Sequence, residues 1–167
     1  MVFVWLNDQP SSIAFRQSIA VYPGVLTMHV VSMCLFAGLI IMMDLRLLGV
    51  GNLRTPVTQV QKRLFPWQML GLGVSTITGL ALFFGEPMRF YGNVFFWIKM
   101  VMMAVSGVNA MAFHVSTYHS VAAWDADAPT PLAAKVSSAA SLVLWTGIII
   151  SGRLIAYDWF SATMGRS

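Results

Sequence analysis

Four long apolar runs, separated by short polar stretches, organise this chain. The first extends from Gly24 to Met43, with no formal charge and one histidine, His29. The second, Trp67 to Phe84, is short and glycine-rich. The third, Val94 to Phe113, is interrupted by Lys99, and the fourth, Val136 to about Ala156, carries Arg153 near its end. Each approaches the ~20 apolar residues that a helix needs to cross a hydrocarbon layer ~30 Å thick. The pattern predicts an all-α integral membrane bundle of four transmembrane helices over about 24–43, 67–84, 94–113 and 136–156. Prolines stand at the expected boundaries, at Pro23, Pro66, Pro87, and Pro129 with Pro131, because a residue without an N–H is best tolerated where a helix starts or stops.

Ahead of the first run, Ser11 or Ser12 is placed to cap a short helix reaching Tyr22. That helix mixes Ile13, Phe15 and Ile19 with Arg16 and Gln17, a composition suited to lying on a membrane surface. The expected organisation is an interfacial N-terminal segment (1–23), the bundle (24–157) and a short tail (158–167). Met1 to Leu6 lacks the positive flank of a secretory signal, and no cleavage site follows.

Composition narrows the class. Of 167 residues, 57% are apolar and 10% charged, against roughly 25% charged in soluble domains. A soluble enzyme, a disordered chain and a nucleic-acid binder are excluded together. The net charge of +4 comes from basic residues too scattered to build a nucleic-acid-binding face, so the expected partner is the lipid bilayer. A single cysteine, Cys34, excludes an intramolecular disulfide. Loop charge sets orientation. Arg46, Arg54, Lys62 and Arg63 follow the first span, and Lys135 follows the third; Arg16, Arg89, Arg153 and Arg166 lie on the other side. With one basic residue before the first span and four after it, both termini are expected outside, which is periplasmic for a bacterial inner-membrane protein.

Ionisable groups inside spans are expensive and mark function by default. His29, Lys99 and Arg153 fall at similar depths near one end of their helices. Asp44 and His114 follow His29 and Lys99 by 15 residues each, or roughly 22 Å along a helix. A second layer of Asp44 with Arg46, and His114 with His119, is therefore expected at the opposite end. The first layer suits haem b, which needs an axial nitrogen, a slot between helices and cations for its propionates. His29 would supply the imidazole. Lys99 would be either a neutral second axial ligand or a propionate partner. Arg153, Arg89 or Arg16 would hold the other carboxylate, and Trp97 would wall the slot. Gly38, Gly71, Gly73 and Gly79 leave backbone bare, for a macrocycle or for close helix packing. His114 and His119 read as surface histidines, with a second haem or metal as the alternative. Asn109 reads as a hydrogen bond to a neighbouring helix.

Twelve methionines, among them Met42, Met43, Met100, Met102, Met103 and Met111, raise copper, because thioethers suit Cu(I). No ladder of them extends across two helices, so gap-filling accounts for them better. Trp67, Trp97, Trp124, Trp145 and Trp159 mostly lie near span ends, as in an interfacial aromatic belt.

These segments carry a resemblance. The stretch from His29 to Leu48, with Phe36-Ala37-Gly38-Leu39 inside it and Leu45-Arg46-Leu47-Leu48 at its end, resembles the first core helix of HemJ-type protoporphyrinogen oxidases. Phe95-Phe96-Trp97-Ile98-Lys99-Met100 is similar to their lysine-bearing helix, which CopD-type copper-resistance proteins share, and Lys62-Arg63-Leu64 before Pro66 is similar to the start of the helix between. The closest resemblance is to a bacterial family of four-helix membrane proteins of uncharacterised role. It rests on Tyr22-Pro23, Leu45-Arg46-Leu47-Leu48-Gly49 and Gly152-Arg153-Leu154-Ile155-Ala156-Tyr157. The resemblance implies a haem or porphyrin site on His29 and Lys99. The fourth span opens on Ala133-Ala134-Lys135 where the HemJ group has Asn-Glu-x-Pro, so the resemblance supports the haem site more than porphyrinogen oxidation.

The reading that results is a haem-b-binding electron-transfer subunit linking a periplasmic redox partner to a quinone or a partner subunit. The alternatives are a porphyrinogen-oxidising enzyme and a haem-free copper-handling or structural membrane subunit.

Overall fold

A computed structural model describes residues 2–51, 55–125 and 130–157. Arg54, Pro129, Trp159, Arg166 and the tail from 158 onward lie outside the described residues. Seven α-helices follow one another: α1 (Val2–Asn7), α2 (Pro10–Gln17), α3 (Val21–Leu48), α4 (Val57–Gly85), α5 (Pro87–Tyr91), α6 (Val94–Ser116) and α7 (Leu132–Tyr157), with a 3₁₀ segment at Tyr118–Ala123. The described residues contain no strand. α3, α4, α6 and α7 are long and apolar enough to cross a membrane. The chain is a multi-pass membrane protein.

The spans are longer than their apolar runs. Hydrophobicity marks the hydrocarbon thickness, whereas backbone hydrogen bonding carries a helix on into the polar interface. α4 thus includes Lys62 and Arg63, and Pro66 sits inside it rather than ahead of it. Pro66 leaves the Lys62 carbonyl without its helical donor; Lys62 is exposed, near the start of α4. Pro23 likewise lies within the first turn of α3 rather than before it. α3 ends in a Schellman arrangement, with Gly49 at φ +83°, Gly49 N–H on the Arg46 carbonyl (3.2 Å) and Val50 N–H on the Leu45 carbonyl (3.0 Å). Asn93 caps α6, its Oδ1 accepting from the Phe95 N–H at 2.9 Å.

The four spans form an arc, in which α4 packs on α3, α3 on α7 and α7 on α6. At the end bearing α1, α2 and α5 (the terminal end), aromatic rings bring α4 and α6 together. Phe83 stacks on Phe96 at 5.6 Å, Phe90 flanks both, and Phe3 of α1 packs on Phe83 and on Tyr91. Two buried clusters fill the remainder. Phe36, Ala37, Trp145 and Ile148 form the central one, and Met43, Leu47, Val57, Val60, Trp124 and Ala134 close the opposite, loop end. The belt assignment therefore fits the exposed Trp67 and Trp97 but not Trp145 or Trp124, which are buried. Trp145 makes an edge-on contact with Phe36 at 5.0 Å, and Trp124 folds in from the connection after α6.

The N-terminal segment also differs from expectation. It is two short helices, and the second stops at Gln17 instead of reaching Tyr22, because Ser18 is extended. Ser12 does not cap α2. It is fully buried and donates to the Phe84 and Gly85 carbonyls (2.9 and 3.1 Å), the last turn of α4. Ser18 performs the capping, accepting from the Val21 N–H at the start of α3. Phe15 lies so close to Gly85 that a Cβ there would stand 2.6 Å from its ring. The segment is fastened to the bundle.

Candidate functional site

His29 is half-buried on α3 and turns toward α4. Its Nδ1 lies 3.0 Å from the Ser75 carbonyl and 3.1 Å from Thr78 Oγ1. A carbonyl only accepts, so Nδ1 carries the hydrogen and Nε2 is the nitrogen with a free lone pair. The ring rests against Gly79, where a Cβ would stand 3.1 Å from Cε1. Lys99 is half-buried on α6 and reaches toward α7, with its Nζ 3.8 Å from where a Cβ at Gly152 would stand. Lys99 has no hydrogen bond or ion pair among the described residues. His29 thus packs on α4, tight against Gly79, whereas Lys99 approaches α7 at ordinary van der Waals distance from Gly152.

The glycines expected to line a slot divide into three kinds. Gly71 admits the backbone of α3, with Phe36 N and Ser32 O about 3.2 Å from its notional Cβ, which is close helix packing. Gly79 houses the imidazole, whereas Gly38 and Gly73 meet nothing within 4 Å. Ser75 and Thr78 belong to the site, and apolar periodicity alone does not single them out. Their signal was there, since Ser75, Thr78 and Gly79 share one face of an otherwise apolar helix.

The remaining expected residues have local partners. Arg153 is exposed, bonds Tyr157 Oη through Nη2 at 3.1 Å and lies over that ring at 5.2 Å. Arg89 pairs with Glu86 at 2.8 Å, and Glu86 also accepts from the Tyr22 hydroxyl at 3.0 Å. Arg16 donates to Asn7 Oδ1 at 2.8 Å. Trp97 donates from Nε1 to the Tyr91 carbonyl at 3.0 Å and contacts Tyr91 and Phe96 edge-on. These contacts knit the terminal-end segments together.

At the loop end, the expected grouping of Asp44 with Arg46 is not formed. Arg46 turns away to the Thr55 carbonyl through Nε and Nη2 (3.0 and 2.9 Å), because the chain reversal after Gly49 presents an acceptor there. Asp44 is buried and faces Ser138 and Ser141 of α7. His114 is exposed and stacks on Tyr118 at 5.0 Å; His119 is exposed as well. No group of three or more His, Cys, Asp or Glu side chains suited to a metal ion occurs among the described residues. Asn109 does bond the neighbouring helix, donating to the Ser137 carbonyl (3.0 Å) and accepting from the Ser137 hydroxyl (3.1 Å). Met102 and Met43 are packed into the two apolar clusters, as gap-filling requires, while Met42, Met100, Met103 and Met111 are exposed on the spans.

Outside the membrane, Asp125 fastens the connection after α6 to the start of α4. It accepts from the Thr58 N–H (2.9 Å) and the Thr58 hydroxyl (2.5 Å). Slight burial pushes its carboxyl up, but the bonds from Thr58, a further one from the Val57 N–H and the charge of Arg46 outweigh that and hold it below the ordinary carboxylate range.

The chain belongs to DUF6644, a family of unknown function, whose sequence profile matches residues 6–158. Neither a curated protein nor a solved structure matches it.

Proposed function

For this DUF6644 member, we propose that His29 and Lys99 form the ligand site of a b-type haem, and that the protein is an electron-transfer subunit of the bacterial inner membrane. One observation carries the reading: the Nδ1–H of His29 is fixed on the Ser75 carbonyl, leaving Nε2 as the donor atom. A backbone acceptor behind a ligating imidazole sets its tautomer and orientation and raises its basicity. Lys99 brings a second nitrogen donor with no competing partner in an apolar setting. Haem, when bound, supplies reversible one-electron chemistry. The chain's own residues would hold the imidazole in place through Ser75 and Thr78 and offer the Lys99 amine, charged or neutral, as the second group. The loop-charge asymmetry supports a periplasmic terminal end, where a soluble redox partner would dock, with a quinone or a membrane subunit as the other partner. The resemblance of the His29 and Lys99 helices to HemJ-type proteins points the same way.

The test is a reduced-minus-oxidised visible spectrum with a pyridine haemochrome assay on protein purified from haem-replete cells. About one b-type haem per chain is expected, and none in His29→Ala. A colourless wild-type preparation, or full haem in His29→Ala, overturns the proposal. Lys99→Arg reports the role of the lysine. A guanidinium remains protonated, so it can pair with a propionate but cannot ligate iron.

A further inference from the structure

The loop-end half of the bundle holds a second ionisable site, separate from the His29–Lys99 pair. Among the described residues Asp44 is the only acidic one within a membrane-spanning helix, and it is 7% exposed. Its Oδ2 has no hydrogen-bond partner. Ser138, 2% exposed and facing it from α7, likewise has an unpartnered Oγ, and Ser141 lies one turn further along the same face. Two buried polar atoms on neighbouring groups therefore each lack a bond, and each such vacancy costs about 1–3 kcal/mol.

Charged neighbours do not resolve this. On α3, Arg46 is committed to the Thr55 carbonyl. On α7, Lys135 lies one turn nearer the surface; on α4, Lys62 and Arg63 are exposed; on α6, His114 is exposed. None of them forms an ion pair with Asp44 among the described residues. An isolated carboxylate inside a bilayer is among the costliest groups a membrane protein can hold. The position along the helices matters equally. Toward the loop end, Leu47 and Ala134 belong to the cluster that Trp124 closes; toward the centre, Ala37, Trp145 and Ile148 belong to the other. The carboxyl lies in a polar gap between two apolar plugs.

We propose that Asp44, Ser138 and Ser141 form an occluded proton-binding site that exchanges with the loop-end surface past Trp124. Uptake is a simple addition: the carboxylate oxygen gains a proton from hydronium, water leaves, and the resulting O–H donates to Ser138 Oγ. One proton thus neutralises the charge and joins the two unpartnered atoms. The alternative neutraliser, a metal cation, is less well served. One carboxyl and two hydroxyls offer too few oxygens for hard cations such as Ca²⁺ and Mg²⁺, which surround themselves with six or more. The site stands without the haem proposal, because it uses none of the same side chains.

The experiment is infrared spectroscopy of the full chain in lipid vesicles over a pH series, in H₂O and D₂O. A carboxylic acid C=O band that shifts in D₂O, titrates away with one midpoint and is missing from Asp44→Asn is the expected result. Ser138→Ala should keep the band and move both its frequency and its midpoint, which reads the site even if Asp44→Asn fails to fold. Trp124→Ala should speed hydrogen–deuterium exchange of the band by roughly tenfold, since removing a plug favours local opening. The proposal is overturned by a wild-type spectrum without the band, by a band that ignores pH, or by a band retained in Asp44→Asn. Loss of the band on adding sodium chloride at constant pH, absent with a bulky organic cation, overturns it in favour of a metal cation.

Discussion

The two ends of the bundle treat buried polarity in opposite ways. At the terminal end, His29 is anchored by a backbone carbonyl and a threonine hydroxyl, and Gly79 in the facing helix makes room for its ring. At the loop end, Asp44 and Ser138 are buried, yet each keeps an atom without a bond. A seat cut from backbone holds a side chain in one orientation and leaves its working atom open. A gap lined by hydroxyls leaves a site whose bonding is completed by whatever small species enters. Glycine and serine are both small, and only the contacts around them separate the two uses.

The contrast is open to attack, starting with its strongest element. Gly79→Leu should expel the imidazole from its seat and abolish haem incorporation, read by haemochrome assay; normal haem content would show that the glycine is incidental. Trp145→Ala, in the apolar centre between the two ends, should cost about 2–3 kcal/mol in detergent unfolding, toward the low end for aromatic truncation. The reduction arises because lipid replaces water as the outside solvent and the lost packing is the larger part of the cost. Thr78→Val removes one of the two acceptors at His29 Nδ1 and should weaken haem binding roughly tenfold, the usual scale for a residue supporting a ligand. Asp125→Ala should destabilise by about 1 kcal/mol at neutral pH, as loss of a helix cap does. The sign of its pH dependence follows from a folded-state carboxyl held below its unfolded value. The contribution is present above the ordinary carboxylate range and lost as pH falls through it, so wild type and variant should converge in acid. Smallest of all, Gly73→Ala meets nothing within 4 Å and should change neither stability nor haem by a measurable amount. A large effect there would remove the distinction between seating and idle glycines.

Much of this was legible in the chain. Four spans and the shared depth of His29 and Lys99 follow from hydropathy and from counting residues at a fixed rise per turn. Helix ends were less legible, because Pro66 and Lys62 look like boundaries to a hydropathy rule while α4 runs through both. Trp145 illustrates a second limit. It stands mid-span, where an interfacial belt does not reach, and the partner that buries it is Phe36, 109 residues earlier in the chain. The fates of Arg46 and Ser12 depend on where two carbonyls, Thr55 and Phe84, happen to come to rest. Nothing local records that.

The arc of helices also divides the protein into two hairpins, α3 with α4 and α6 with α7, sewn together along α3 and α7. His29 finds its acceptors entirely within the first hairpin, and Lys99 its glycine entirely within the second. Each can be inserted into the bilayer with its own half of the ligand site already shaped. The joining seam is also where Phe36 meets Trp145 and Asp44 meets Ser138, so docking of the hairpins completes the core and both polar layers in a single event. Biogenesis would then carry its own checkpoint: on the proposed haem reading, a chain whose hairpins fail to meet leaves His29 without Lys99.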